Sequence, residues 1–251
     1  PALGGHAGRS EASRPDPDAR NCAVGHEMGI AYDVSLLPSR PDPLLYLDLR
    51  AGRRRLAEAS RGLTVLNLFA YTCTAGVCAA ASGAVDVWNV DWSRTALEIG
   101  RANAQRNGIA PERFRLLRED FHPAARQLAG LPVKGRAARS RQYLRLEARA
   151  FDIVVLDPPP WSVGPHGAVD VVRDYESLFK PALLATAPGG RLLATNHAPD
   201  VDRVQWRDRL LRCAQKAGRR IAAAEWVLPE PDFPAPDGLV PMAMLWLEVC
   251  P

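Results

Sequence analysis

The run Phe151-Asp-Ile-Val-Val-Leu156, followed by Asp157-Pro-Pro-Pro160 and Trp161-Ser162, constrains this chain more than any other stretch. Apolar residues fill it except at Asp152, and three of them are β-branched, which reads as a buried-type strand. The strand ends in a carboxylate and three consecutive prolines. Proline fixes its own φ and biases the residue before it toward extended backbone. Asp157, Pro158, Pro159 and Pro160 therefore make a rigid ledge with the aromatic Trp161 at its end. Such a ledge suits an enzyme that holds a flat ring edge-on to an electrophile. The plainer alternatives are Trp161 as a packing aromatic and Asp157 as a loop cap.

A second apolar strand, Leu63 to Phe69, runs into Ala70-Tyr-Thr-Cys-Thr-Ala-Gly76, a small-residue turn that opens a helix through Ala81. Strand, tight turn and helix N-terminus together form a nucleotide-type site. Gly76 is the one glycine in the turn, where a dinucleotide fingerprint would place three, so adenosine without a pyrophosphate fits better. Val85 to Val90 predicts a further strand ending in Asp91, about twenty residues after the turn, where an acid can take the two ribose hydroxyls. Asp91 and Ser93 could instead cap a helix over Thr95 to Asn107, and Asp120 could cap the helix that follows it.

Taken in order, Leu66-Asn-Leu-Phe-Ala-Tyr-Thr72, Val90-Asp-Trp-Ser-Arg94, Asn103 with Asn107-Gly108, Asp120-Phe121, Phe151 to Ser162, Arg173-Asp-Tyr175 and Thr195-Asn196 carry a resemblance. Over roughly residues 44 to 249 the chain resembles the class I S-adenosylmethionine-dependent methyltransferases related to the bacterial 23S ribosomal RNA large-subunit enzymes. It departs from them at Cys73, where the family usually has glycine, and at Pro160-Trp161 after the Asp-Pro-Pro. The resemblance implies S-adenosyl-L-methionine as cofactor. Around it would stand Asp48, Arg50, Asn67, Phe69, Tyr71, Thr72, Gly76, Asp91, Trp92, Ser93, Asn107, Asp120, Phe121 and Asp157, with Asp120 on the adenine amino group and Phe121 on its ring face. Cytosine-specific relatives carry a cysteine on the strand-end loop that here reads Ala194-Thr-Asn-His-Ala198, because cytosine C5 is not nucleophilic until a thiolate adds at C6. Guanine-modifying relatives have asparagine there. The resemblance thus implies a guanine-type N-methyltransferase acting on ribosomal RNA. Asp157, Pro158, Pro159 and Asn196 would hold the base edge, and Trp161, Arg173, Tyr175 and His197 would line the substrate side. A small-molecule methyltransferase and a non-catalytic binding protein of the same fold remain open.

At 251 residues with 47% hydrophobic side chains, the chain can bury a three-layer core. The expected fold class is α/β: a doubly wound, mostly parallel seven-stranded sheet whose last strand is antiparallel. Its strands fall near 64–69, 85–90, 113–117, 151–156, 190–196, 221–228 and 240–249. That domain takes residues 61–251. Residues 1–60 form an N-terminal extension: a flexible, Gly-, Pro-, Ser- and Arg-rich stretch over 1–25, a hairpin within 29–49 across the Pro38 to Pro43 turn, and a helix over 51–60.

A net charge of +4 permits a polyanionic partner without requiring one. Five cysteines with no C-x-x-C pair suggest reduced thiols in a cytoplasm and imply no metal site. No apolar run approaches the length of about 20 residues needed to span a bilayer. The segment Lys134 to Arg149 holds Lys134, Arg136, Arg139, Arg141, Arg145 and Arg149 against the single acid Glu147, with Tyr143 interleaved. That mixture suits a phosphate backbone and a stacked base, and equally a solvated flap.

Overall fold

At the centre of the fold, β3 (Thr64–Leu68) pairs in parallel with β4 (Asp86–Asp91) on one side and β6 (Phe151–Leu156) on the other. The computed structural model describes residues 22–35, 42–140, 142–163, 168–171, 174–198, 201–233 and 242–251, with backbone alone at 22, 161–163 and 168–170. β5 (Phe114–Arg118) extends the sheet beyond β4, and β9 (Thr186–Asn196) extends it beyond β6, both in parallel. β11 (Ala243–Val249) then inserts antiparallel between β9 and β10 (Ile221–Trp226), which completes the seven-stranded order β10-β11-β9-β6-β3-β4-β5. The antiparallel last strand is as the sequence predicts.

Strand alternation divides the core in two. Leu66, Leu68, Val154 and Leu156 face α4 (Phe121–Leu128), α6 (Tyr175–Leu184) and α7 (Arg203–Lys216). Val65, Val87, Ile153 and Val155 face α1 (Arg50–Ala59), α2 (Thr74–Ala81) and α3 (Arg94–Arg106). Successive side chains of a strand point to opposite faces, so an unbroken apolar strand needs a helical layer on each. From β3 the chain builds outward through β4 and β5, then returns to lay β6 on the other side of β3. The connections diverge there and leave a crevice at the carboxyl ends of the strands, where open α/β sheets bind ligands.

The N-terminal extension differs from expectation. The hairpin is formed by β1 (Cys22–Glu27) and β2 (Ile30–Ser35), not by segments on either side of the prolines, and it includes residues 22–25, which composition alone places in the flexible stretch. Its two-residue turn is Met28-Gly29, with φ of 53° and 77°, the left-handed pair that matches strand twist. Leu44 to Leu49, expected as a strand, ends in a 3-10 turn over Leu47–Leu49. Residues 1–21 and the prolines at 38 and 41 lie outside the described residues.

The hairpin is fastened to the body by polar side chains. Fully buried Arg53 donates through Nε and Nη2 to the two carboxylate oxygens of Glu27, at 2.7 Å each. Asn107 accepts from the Ala31 amide at 2.9 Å and donates to its carbonyl at 2.7 Å, and Asn103 accepts from the Asp33 amide at 2.7 Å. The two asparagines thus satisfy the outer edge of β2 as a neighbouring strand would.

Candidate active site

A cavity of about 650 Å³ opens at the carboxyl ends of β3, β4, β5 and β6. The loop after β3 shapes its floor. Phe69, Tyr71 and Cys73 all adopt left-handed backbone, with φ of 58°, 48° and 60°, so the chain reverses tightly without a glycine. Asp91 holds this turn in place: its Oδ2 accepts from the Tyr71 amide at 2.7 Å and its Oδ1 from the Ser93 amide at 2.8 Å. Burial raises the Asp91 pKa, while those backbone donors oppose the shift. The Trp92 amide is a third backbone donor to this carboxylate, which lines the cavity. Ser93, not Asp91, caps α3, accepting from the Ala96 amide at 3.3 Å.

Cys73 fits the loop because α3 carries glycine opposite it. A Cβ at Gly100 would sit 2.4 Å from the Cys73 sulfur. Gly76 solves a similar problem at the sheet, where a Cβ would meet Asn89 Oδ1 at 1.9 Å. That Asn89 oxygen accepts from Asn67 Nδ2 at 3.0 Å, so Asn67 and Gly76 form a buried seam between β3, β4 and α2, outside the cavity.

The adenine-type end is aromatic and acidic. Phe69 and Phe121 stack at 4.6 Å with ring planes 14° apart. Asp120 caps α4 through the His122 amide at 2.9 Å and also lines the cavity, so capping and site placement coincide. Glu119, at the end of β5, lines it too, and one of its oxygens holds the Asp120 amide at 2.8 Å. Trp92 stands half-exposed at the mouth.

At the opposite end, Asp157, Pro159 and Pro160 line the cavity beside His197. His197 Nε2 lies 2.8 Å from Asp157 Oδ1, and Nδ1 lies 3.8 Å from Asp48 Oδ2. The Thr195 hydroxyl donates to the same Asp157 oxygen. Burial alone would push Asp157 up, but the hydrogen bond and charge of His197, with the Thr195 hydroxyl, hold its carboxyl below the usual range. Burial disfavours a charged His197, yet Asp157 and Asp48 raise its pKa above the ordinary histidine value. The geometry places the His197 imidazole between two carboxylates, an arrangement that favours its protonated form.

Several residues expected at the site stand elsewhere. Asn196 is buried, and its Oδ1 accepts from the Ala198 amide at 2.9 Å, a local turn that swings His197 into the cavity in its place. Tyr175 donates to the Thr195 carbonyl at 2.7 Å and packs edge-on against Trp206 behind β9. Thr72 donates to the Leu44 carbonyl at 2.6 Å, Asn107 holds β2, and Arg50 pairs with Asp232. Pro158 is buried beneath the ledge. The Trp161 side chain and Arg173 lie outside the described residues. Tyr46, Leu49 and Glu119 line the cavity without having been singled out; Glu119 alone had a signal, as the acid beside Asp120 at a strand end.

Five carboxylates (Asp48, Asp91, Glu119, Asp120 and Asp157) face this space with an aromatic pair at one end. That lining fits a ligand bearing a positive charge, a diol and a flat ring. The chain matches the S-adenosylmethionine-dependent methyltransferase family over residues 26–246, and it belongs to that family, whose cofactor has those three features. It is similar to a ribosomal RNA large subunit methyltransferase K/L of Allochromatium vinosum, 36% identical over 177 residues, which is 68% of this chain and 22% of the relative. A ribosomal RNA large subunit methyltransferase I of Aeromonas hydrophila is 31% identical over 189 residues, 75% of this chain and 44% of the relative. This chain therefore spans less than half the length of either. An S-adenosylmethionine-dependent methyltransferase structure from Agrobacterium tumefaciens shares the fold with a TM-score of 0.68 at 18% identity, over 96% of this chain and 72% of that one. Among the described residues, no helix is long and apolar enough to cross a membrane.

Proposed function

We propose that this chain methylates a guanine nitrogen of ribosomal RNA by direct in-line transfer, with no covalent enzyme intermediate. The observation that carries the direct-transfer part of this reading is the chemistry of the acceptor end. Where thiolate-dependent transfer to cytosine would need a cysteine, the cavity presents Asp157, two prolines and His197. Among the described residues no cysteine lines the cavity. Cys73 lies nearest in sequence to the floor, but its thiol turns toward the Tyr71 carbonyl at 3.7 Å, and burial, with Asp91, pushes its pKa well above the usual range. A thiol held neutral is a poor nucleophile.

S-adenosylmethionine, when bound, supplies an already electrophilic methyl group, so the protein's part is chiefly alignment. Asp91 suits the ribose hydroxyls, since its carboxylate lines the cavity and can accept beyond the backbone amides that hold it. Phe69 and Phe121 provide an apolar wall for adenine. Pro159 and Pro160 set the plane on which the acceptor base rests. His197 and Thr195 fix Asp157 Oδ1, which leaves Oδ2 to meet a group in the cavity. The names of the curated relatives support RNA as the class of acceptor.

Transfer of tritiated methyl from S-adenosylmethionine to total bacterial RNA, run beside a small-molecule extract, tests the reading. Label in the RNA fraction is expected. Label confined to small molecules would replace it with the metabolite alternative, and cofactor binding without transfer to either would favour a non-catalytic protein.

A further inference from the structure

Two of the chain's arginine-rich runs, one on α1 and one between α4 and β6, are treated oppositely by the fold. On α1, Arg53 is neutralised by Glu27, Arg54 meets Glu230 at 2.7 Å, and Arg55 meets Glu225 at 3.1 Å. In the segment between α4 and β6, Lys134, Arg136, Arg139 and Arg145 are exposed and, among the described residues, have no carboxylate partner. Arg149, from the same segment, is taken out of that group. It pairs with Asp86 at 2.8 Å and lies over the rings of Trp88 and Phe151, 4.9 Å and 4.7 Å from their centroids. Arg141 lies outside the described residues.

The bare cations stand on an anchored frame. The short helix α5 (Gly135–Ser140) buries Ala137 and leaves Arg136 and Arg139, three residues apart, in solvent. Beyond it, Gln127 of α4 clamps the chain by donating to the Leu144 carbonyl at 2.9 Å and accepting from the Leu146 amide at 3.2 Å. The Leu144 amide donates to Glu119, an acid of the cavity wall. On either side of that tie, Tyr143 and Arg145 stack, with the guanidinium 4.6 Å from the ring centroid and Nη1 donating to the phenol oxygen at 2.8 Å. A cation–aromatic pair is thus bound by its backbone to the rim of the cavity, with three further cations beyond it.

We infer that Lys134, Arg136, Arg139 and Arg145, with Tyr143, form a docking track for the phosphate backbone of single-stranded RNA leading to the cavity rim; this rests on the RNA reading above. Uncompensated cations release counterions when they meet phosphates, and an aromatic ring at the end of such a track offers a stacking surface for an unpaired base. Arginines already matched to carboxylates, as on α1, add little to such a track.

The test measures RNA affinity against salt for the whole chain and for a variant carrying Lys134→Gln, Arg136→Gln, Arg139→Gln and Arg145→Gln. A control variant carries Arg212→Gln, Lys216→Gln and Arg220→Gln, exposed cations on and just beyond α7. Each cation removed from a single-strand contact lowers the log–log slope by about 0.7, so the track variant should lose roughly 3 units, whereas the control should lose none. Between 50 and 200 mM salt that difference is about fiftyfold in affinity. Arg136→Gln with Arg139→Gln alone should lose about half as much slope, and S-adenosylhomocysteine affinity should stay unchanged in every variant. Wild type that methylates RNA while the track variant keeps its slope would overturn the track and leave the RNA reading standing. Wild type that neither binds nor methylates RNA would overturn both.

Discussion

Replacing Asp91 with alanine separates the two parts this carboxylate plays. In the folded chain it accepts the amides of Tyr71, Ser93 and Trp92, and the proposed cofactor adds the ribose hydroxyls to its remaining acceptor capacity. Hydrogen bonds to a charged acceptor contribute about 1.5–3 kcal/mol net. Loss of the ribose contacts should therefore weaken S-adenosylhomocysteine or S-adenosylmethionine by about ten- to over a hundredfold. The residues that donate the amides, Tyr71, Trp92 and Ser93, all line the cavity, so the structural cost is set at about 1–3 kcal/mol, that of an orphaned donor. Ser93 still caps α3, which argues for survival of the fold. Calorimetric titration gives the affinity, and thermal unfolding of the ligand-free protein gives the stability, since bound ligand would itself raise the midpoint. A folded Asp91→Ala protein that binds the cofactor as wild type does would refute the ribose assignment and leave Asp91 a loop clamp only.

The His197–Asp157 pair should make stability depend on pH in a defined window. Its contribution is complete between roughly pH 4 and 6.5, fades as pH rises through the raised His197 pKa, and fades again as pH falls through the lowered Asp157 pKa; apo melts of His197→Gln should lack the upper limb. Gly100→Ala should destabilise by about 1–3 kcal/mol, because its new methyl meets the Cys73 sulfur, and adding Cys73→Gly should recover most of the loss in a chemical unfolding series. Arg53→Ala strands buried Glu27 and should cost about 3–5 kcal/mol, read as an early loss of the hairpin in hydrogen exchange.

Much of the fold was legible because strand chemistry is local. Phe151 to Leu156 is a strand with the bounds its composition implies, and the strand ends at Asp91 and Asp157 both reach the cavity. The hairpin was misplaced because proline-rich segments draw attention as turns, whereas the real turn needs only two left-handed residues, Met28 and Gly29. Periodicity also fails to say which face of a strand looks at a ligand. Asn67 and Gly76 lie on the cofactor strand and turn yet close against Asn89, while Asn196 spends its side chain on the turn that delivers His197. That turn is a single hydrogen bond between residues two apart, and no pattern in the chain announces it. The bridge from His197 to Asp48 joins residues far apart in sequence, so only the assembled fold reveals it.

The identity of the methylated nucleoside tests the central claim most directly. Ribosomal RNA incubated with the protein and methyl-labelled S-adenosylmethionine, then digested to nucleosides and resolved by mass spectrometry, should carry the label on guanosine, in a form that releases methylguanine on acid hydrolysis. RNA containing 5-fluorocytosine should form no denaturation-resistant adduct with the protein. Label recovered as 5-methylcytidine, or a trapped adduct, would contradict the account and return Cys73 to consideration as a nucleophile.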